Sequence, residues 1–228
     1  KANSTVSPYV GLYYPSGQTN DLSGNSIVVP PSYMALRTIM RSDNIGYQWL
    51  APAGTRRGLV DNVSAIGYID GNSGQFVSIG VTQGLRDVLY DNKINPITKL
   101  PGTGITVFGQ KTIATDNTSL DRINVARLIN YIRLQLDKIG RPFIFEPNDT
   151  QTRNEIKQQI ESFLLNLVGQ RALYDFLVVC DETNNTGDVI DRNEFVAEIF
   201  VKPARSINFI TLSFVATRTG VSFEEIAG

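Results

Sequence analysis

Val125, Leu128, Ile129, Ile132, Leu136 and Ile139 recur at steps of mostly three and four, so they fall on one face of a single long helix. Ser119 is available to cap that helix, Gly140 to end it, and Pro142 forbids its continuation. A second amphipathic helix is expected from about residue 150 to 168, with Ile156, Ile160, Phe163, Leu164 and Leu167 inward, Asn148 or Asp149 as its cap and Gly169 as its stop. Two such helices in sequence need an apolar partner layer, and the chain supplies β-forming runs on both sides of them. Phe143–Phe145 reads as a short strand between the helices, and Phe176–Cys180 as a buried run after them. Residues 194–202 and 207–216 read as two further strands. The last carries Ile210, Leu212, Phe214 and Ala216 on one face.

Before the helices, Ser7–Pro15 reads as a buried strand ended by its proline, and residues 16–25 as a polar surface loop. Pro30-Pro31-Ser32 opens a helix, residues 63–69 a strand, and Thr82–Asp91 a short helix with Leu85, Val88 and Leu89 inward. Ile105–Phe108 is another strand. Strands alternating with helices imply an α/β fold with a largely parallel sheet, turning α+β toward the C-terminus. The polar break at residues 115–119 marks a boundary, which divides the chain into 1–116 and 117–228.

The chemistry available is limited by one absence. The 228 residues contain no histidine, which removes the commonest general base, the commonest metal ligand and every Ser-His or Cys-His pair. The formal net charge of −1 leaves no basic excess to neutralise phosphates, so nucleic acid is not an expected partner. No apolar run is long enough to span a bilayer. The lone Cys180 forms no internal disulfide. No cofactor or metal is expected either. Asp181–Asp188 fails the spacing of a calcium loop, because Gly187 and Arg192 stand in the wrong register, and reads as a polar turn. Gly109-Gln110-Lys111-Thr112 lacks the glycine spacing of a phosphate cradle. Asp116, Asp121, Glu146 and Asp149 could supply an acid/base pair, with Glu146 and Asp149 beside the cleft a hydrolase would need, but three of the four stand next to expected helix starts, where capping is the stronger reading. Arg122, Arg127, Arg133 and Lys138 lie off the apolar stripe of the long helix, either as a solvated face or as a basic surface for an acidic partner.

Several stretches together resemble the tail sheath family of contractile phage tails and related injection machines. They are Ser7–Pro15, Val29–Ser32, Arg41–Asp43, Trp49–Ala53, Ile94–Ile97, Gly104–Thr112, Ile123–Leu128, Phe145–Asn148, Cys180–Asn184 and Val201–Arg205 with Asn208–Ile210. The chain departs from the pattern at Gln110-Lys111-Thr112, where Ala-Arg-Thr is usual, at Ala126, where the pattern has a further arginine, and at Arg171, where it has glycine.

The resemblance implies a structural subunit, not an enzyme. Residues 1–116 would be the C-terminal part of a subtilisin-like sheath domain, in which a histidine-free chain has no catalytic triad. Residues 117–228 would be the inner, tube-facing sheath C-terminal domain, a sandwich-like α/β unit whose last strands are available for pairing between subunits. The implied partners are neighbouring sheath subunits in stacked hexameric rings, the tail tube, and the baseplate and tail terminator proteins. The implied location is the virion tail, assembled in the host cytoplasm. Sheath arms donate strands to neighbours, which makes Phe209, Ile210, Leu212, Phe214, Ala216 and Phe223 the expected shared strand. Arg122, Arg127, Arg133 and Lys138 become the expected tube-docking face. A chain starting at Lys1 without an N-terminal arm is expected to be monomeric. A phage adhesin, the other non-enzymatic reading, would be mostly β, which the two amphipathic helices oppose.

Overall fold

The computed structural model describes residues 7–114 and 118–207. The first part carries β1 (Leu12–Tyr14), β2 (Ser16–Asn20), β3 (Ser26–Val29), α1 (Pro31–Ile45), α2 (Gly54–Arg57), β4 (Ala65–Ile69), β5 (Phe76–Ser78), α3 (Gln83–Asp91), β6 (Ile94–Leu100) and β7 (Gly104–Val107). The second carries α4 (Ile123–Gly140), α5 (Thr150–Gly169), β8 (Leu173–Val179), α6 (Gly187–Asp191) and β9 (Glu198–Pro203).

The first part is a mixed assembly with less parallel pairing than the alternation of elements implies. One sheet runs β3-β2-β4-β5 and is antiparallel throughout. The other runs β1-β6-β7, and only β1 and β6 are parallel. The connections explain this. A turn at Asp21–Asn25 joins β2 to β3, and one at Gly102 (φ 73°) joins β6 to β7. Such tight links permit hairpins, while a parallel crossover needs a dozen residues or so. Met34, Ile66, Ile97, Ile105 and Val107 form the core between these sheets and α1.

The expected loop at residues 16–25 is in fact β2 and its turn. Gly17 is the reason the polar composition misleads. A Cβ there would lie 2.6 Å from Met34 Sδ, so glycine is what lets the strand lie directly on α1. Thr82 caps α3 by accepting from Leu85 N, and Leu85 and Leu89 pack inward as expected. Val88 instead faces solvent at 59 % exposure, since a helix this short buries only one narrow stripe.

In the second part, α4 and α5 follow the apolar periodicity closely. Leu128 and Ile132 meet Ile156, Ile160, Leu164 and Leu167, with Leu173 and Val178 of β8 above them. Asp149 caps α5, its carboxylate accepting from Thr152 N at 2.8 Å. That bond holds the Asp149 carboxyl below the usual range. Ser119 does not cap α4. It opens a 3-10 turn, and Arg122 stands at the helix start with extended backbone. The cause is a bridge across the sequence boundary, in which Thr112 N donates to Asp121 O and Ile123 N donates to Gln110 O. Phe143–Phe145 is not a strand either. A 3-10 turn takes Arg141–Phe143, Glu146 N donates back to Phe143 O, and Phe145 adopts φ 78°. The strand expected from residue 194 begins only at Glu198, because the Asn185 side chain binds both the N–H and the C=O of Val196 in place of a ladder partner.

The two parts share one more feature that the sequence does not announce. Trp49, from the segment after α1, is buried in the core of the second part, stacked 4.6 Å from Tyr47 and tilted against Tyr131 at 5.5 Å.

Tyr13 of β1 packs into the first core, and burial pushes its hydroxyl from the ordinary 10.0 up to about 12 against a smaller opposing pull from Arg127. A raised acid favours its protonated form in the fold. Its stabilising contribution is therefore complete below pH 10 and is lost as pH climbs toward 12. The two-unit gap corresponds to about 2.7 kcal/mol. Urea titrations between pH 9.5 and 12 are expected to show a steeper loss of stability in the parent chain than in Tyr13→Phe. Parallel pH profiles for the two would contradict this placement of the ring.

Candidate assembly surfaces

β8 and β9 form a two-stranded antiparallel ribbon, with Leu177 opposite Phe200 and Val178 opposite Ile199. Alternation along the strands decides which side each residue takes. Leu173, Val178, Ile199 and Val201 turn toward α4 and α5. Leu177 (57 %) and Phe200 (56 %) point away and stay exposed. Asp175 and Lys202 flank that outer pair with an ion pair of 2.9 Å, and the hydrogen bond from Lys202 lowers the Asp175 carboxyl. Residues 176–180 are thus not the buried run that their composition suggests. They form a strand with one wet face.

Among the described residues each of these strands pairs only with the other, so each carries one edge of unpaired backbone groups. A two-stranded ribbon is marginal alone and is held here by its packing on α5. Past β9, Ala204 N donates to Ala172 O, and the described chain runs on to Ile207, which is 82 % exposed. The strand residues singled out from sequence, Phe209, Ile210, Leu212, Phe214, Ala216 and Phe223, lie outside the described residues.

The four basic residues on or beside α4 do not form one stripe. Arg122 precedes α4 with extended backbone, and at about 100° per residue Arg133 stands well over 100° from Arg127 and Lys138 around the helix. The surroundings divide them differently again. Arg127 is part-buried against α1, donating to both Asp43 carboxylate oxygens, one of them at 2.7 Å. Arg122 pairs with Asp121 at 3.1 Å and lies 5.9 Å over the Tyr90 ring. Arg133 and Lys138 face solvent at the other end of α4, beside the exposed Leu134 and an Asp137–Arg141 pair. Glu146 and Asp149 are both exposed, and Asp149 is committed to its capping bond. They make no enclosed acid/base couple. Asp43 and Trp49 were not singled out in the sequence for any role, because neither falls in a periodic pattern. The Arg127–Asp43 contact joins residues far apart in the chain.

The comparisons with known proteins agree in direction. The family model described as phage tail sheath C-terminal domain matches residues 115–217. The tail sheath protein of Vibrio phage KVP40 is 43 % identical over 187 residues, which is 82 % of this chain and 26 % of that protein. The tail sheath protein of Enterobacteria phage T4 is 40 % identical over 188 residues, 82 % of this chain and 27 % of that one. The chain thus spans about a quarter of the length of these relatives. Its fold is also that of a chain in the six-fold-symmetrised cryo-EM structure of the anti-feeding prophage baseplate, with a TM-score of 0.78 at 24 % identity, covering 93 % of this chain and 56 % of that one. A chain of an extracellular contractile injection system sheath complex in the contracted state matches with TM-score 0.78 at 24 % identity, covering 93 % of this chain and 57 % of the other.

The ion pair between the two parts is open to test. Asp43→Ala strands a part-buried guanidinium whose Nη1 already has no hydrogen-bond partner, and is expected to cost roughly 1–3 kcal/mol in urea unfolding. Adding Arg127→Met should recover part of that loss. Strictly additive single and double variants would show that the pair does not couple the two parts.

Proposed function

Because the chain belongs to the tail sheath family of contractile bacteriophage tails, we propose that it is the inner part of a sheath subunit that polymerises as stacked hexameric rings around the tail tube and shortens the lattice during genome delivery. The observation that carries this reading is the β8–β9 ribbon, whose two outer edges are unpaired among the described residues. Exposed edges are a hazard that proteins normally block. An edge kept open beside a family of helical polymers is a place for a neighbour's strand. Each added strand forms about four to six backbone hydrogen bonds of roughly 1 kcal/mol net. The residues from Phe209 to Ala216, with Phe223 beyond, have the alternation to be the donated strand. Their apolar face would complete the layer that rests on α4 and α5.

Such a joint tolerates a change of angle between subunits, because its backbone hydrogen bonds lie within one paired sheet and not across the bodies. Contraction then repacks intact bodies. The packing of Trp49 and the Arg127–Asp43 pair make the two parts of this chain move together. No step in this scheme needs a nucleotide, metal or other cofactor in the sheath, and the family is a structural one. Residues 1–116 are the end of the subtilisin-like domain in this reading, and 117–228 the tube-side domain. Arg133 and Lys138, at the exposed end of α4, are the better candidates for the tube surface. Arg122 and Arg127 are engaged within the subunit. Baseplate and terminator proteins would meet the same lattice at its ends, in the virion tail, after assembly in the host cytoplasm.

Deleting residues 209–228 from the intact subunit is expected to abolish sheath tubes in negative-stain electron microscopy while leaving a folded monomer in sedimentation. Tubes of ordinary length from the shortened subunit would exclude the donated strand.

A further inference from the structure

Helix α1 carries apolar side chains on two opposite sides. Met34, Ala35, Thr38 and Ser42 are its buried residues, and Met34 sits in the first core. At about 100° per residue, Tyr33, Leu36 and Met40 fall within about 60° of one another on the side facing away. Leu36 (59 %) and Met40 (61 %) are largely bare, and Tyr33 (44 %) is nearly half so. A surface helix of a finished domain keeps its outward side polar, and a helix that is apolar on both sides is normally buried on both.

The charged residues of α1 do not shield this stripe. Long charged side chains are what usually lies over exposed apolar surface, and α1 contains no lysine or glutamate. Its two arginines are tied elsewhere. Arg37 donates to the Asp61 carboxylate, and Arg41 donates to Leu59 O at 3.4 Å. Asp43, on the other flank, accepts from Arg127. All three charged residues of the helix are thus held by partners inside the chain, and the stripe between them stays open.

We propose that the outer stripe of α1 is an internal packing face of the intact sheath subunit. Its occupant is further polypeptide of the same subunit, presenting an uncharged apolar surface to Tyr33, Leu36 and Met40. This rests on the reading of the chain as one part of a larger subunit. The sheath relatives carry about three quarters of their length outside the region that this chain matches, so such polypeptide is at hand. A second copy is the poorer occupant. Three side chains of this exposure offer on the order of 300 Å², against about 800 Å² per partner in a stable interface between subunits. Polypeptide tethered to the same subunit acts at an effective concentration in the millimolar range and needs less area. The consequence is a central place for α1. Met34 ties it to the first core, Asp43 ties it to α4, and the stripe ties it to the added layer.

The two methionines of the chain supply the test, since Met34 is fully buried and Met40 lies on the stripe. Dilute peroxide oxidises exposed methionine sulfur, and peptide mass spectrometry reads each position separately. In the 228-residue chain alone, Met40 is expected to oxidise about tenfold faster than Met34. In the intact, unassembled subunit it is expected to slow about tenfold, to the rate of Met34. Equal Met40 rates in the chain and the intact subunit would overturn the proposal. So would protection that appears only in assembled tubes, which would assign the stripe to a neighbouring copy. Leu36→Glu supplies a second readout. It is expected to leave the urea midpoint of the 228-residue chain unchanged and to lower that of the intact subunit, and unchanged midpoints in both would also overturn the proposal. Neither readout involves a shared strand, which is judged separately by tube formation after deletion of residues 209–228.

Discussion

A ribbon of two strands has as many backbone groups unpaired along its edges as paired down its middle. Water can satisfy them, and the packing on α4 and α5 then holds β8 and β9 in place. The remainder of the second part follows from this constraint. α4 and α5 supply the apolar floor, Asp149 fixes the start of α5, and the Asn185 side chain holds the entry to β9. The ribbon keeps an open edge on each side among the described residues, with Leu177 and Phe200 on its outer face. A sheet of this kind is stable enough to persist and incomplete enough to accept more strands.

The first part serves a different purpose. Its two sheets hold β1 and β6–β7 so that residues 110–112 can bridge to residues 121–123, and Trp49 plugs the second core. Arg127 and Asp43 add an ion pair between the two parts.

Much of this was legible in the sequence where periodicity is long. Helices α4 and α5, the Pro31 start of α1 and the Asp149 cap all follow from spacing and caps. The misses have local causes. β2 looked like a loop because Gly17 is there for clearance against Met34, a reason that lies in another element. Ser119 lost the cap of α4 to a bridge with residues 110–112, and Phe143–Phe145 lost its strand to a tight turn. The outer face of β8 was misread because a short apolar run does not say whether one face or both are covered. Four basic residues near one helix read as a surface, whereas Arg127 faces α1 and binds Asp43. Propensity and period report on a segment, and these positions are decided by what the segment meets.

The central claim is that this chain works by completing its neighbours' sheets and having its own completed. It is tested most directly by a density map of the assembled sheath in which strand pairing can be traced from one subunit to the next. The account predicts that the outer edge of β8, of β9 or of both is paired with a strand from another subunit. A lattice in which every strand is paired only within its own subunit would contradict it.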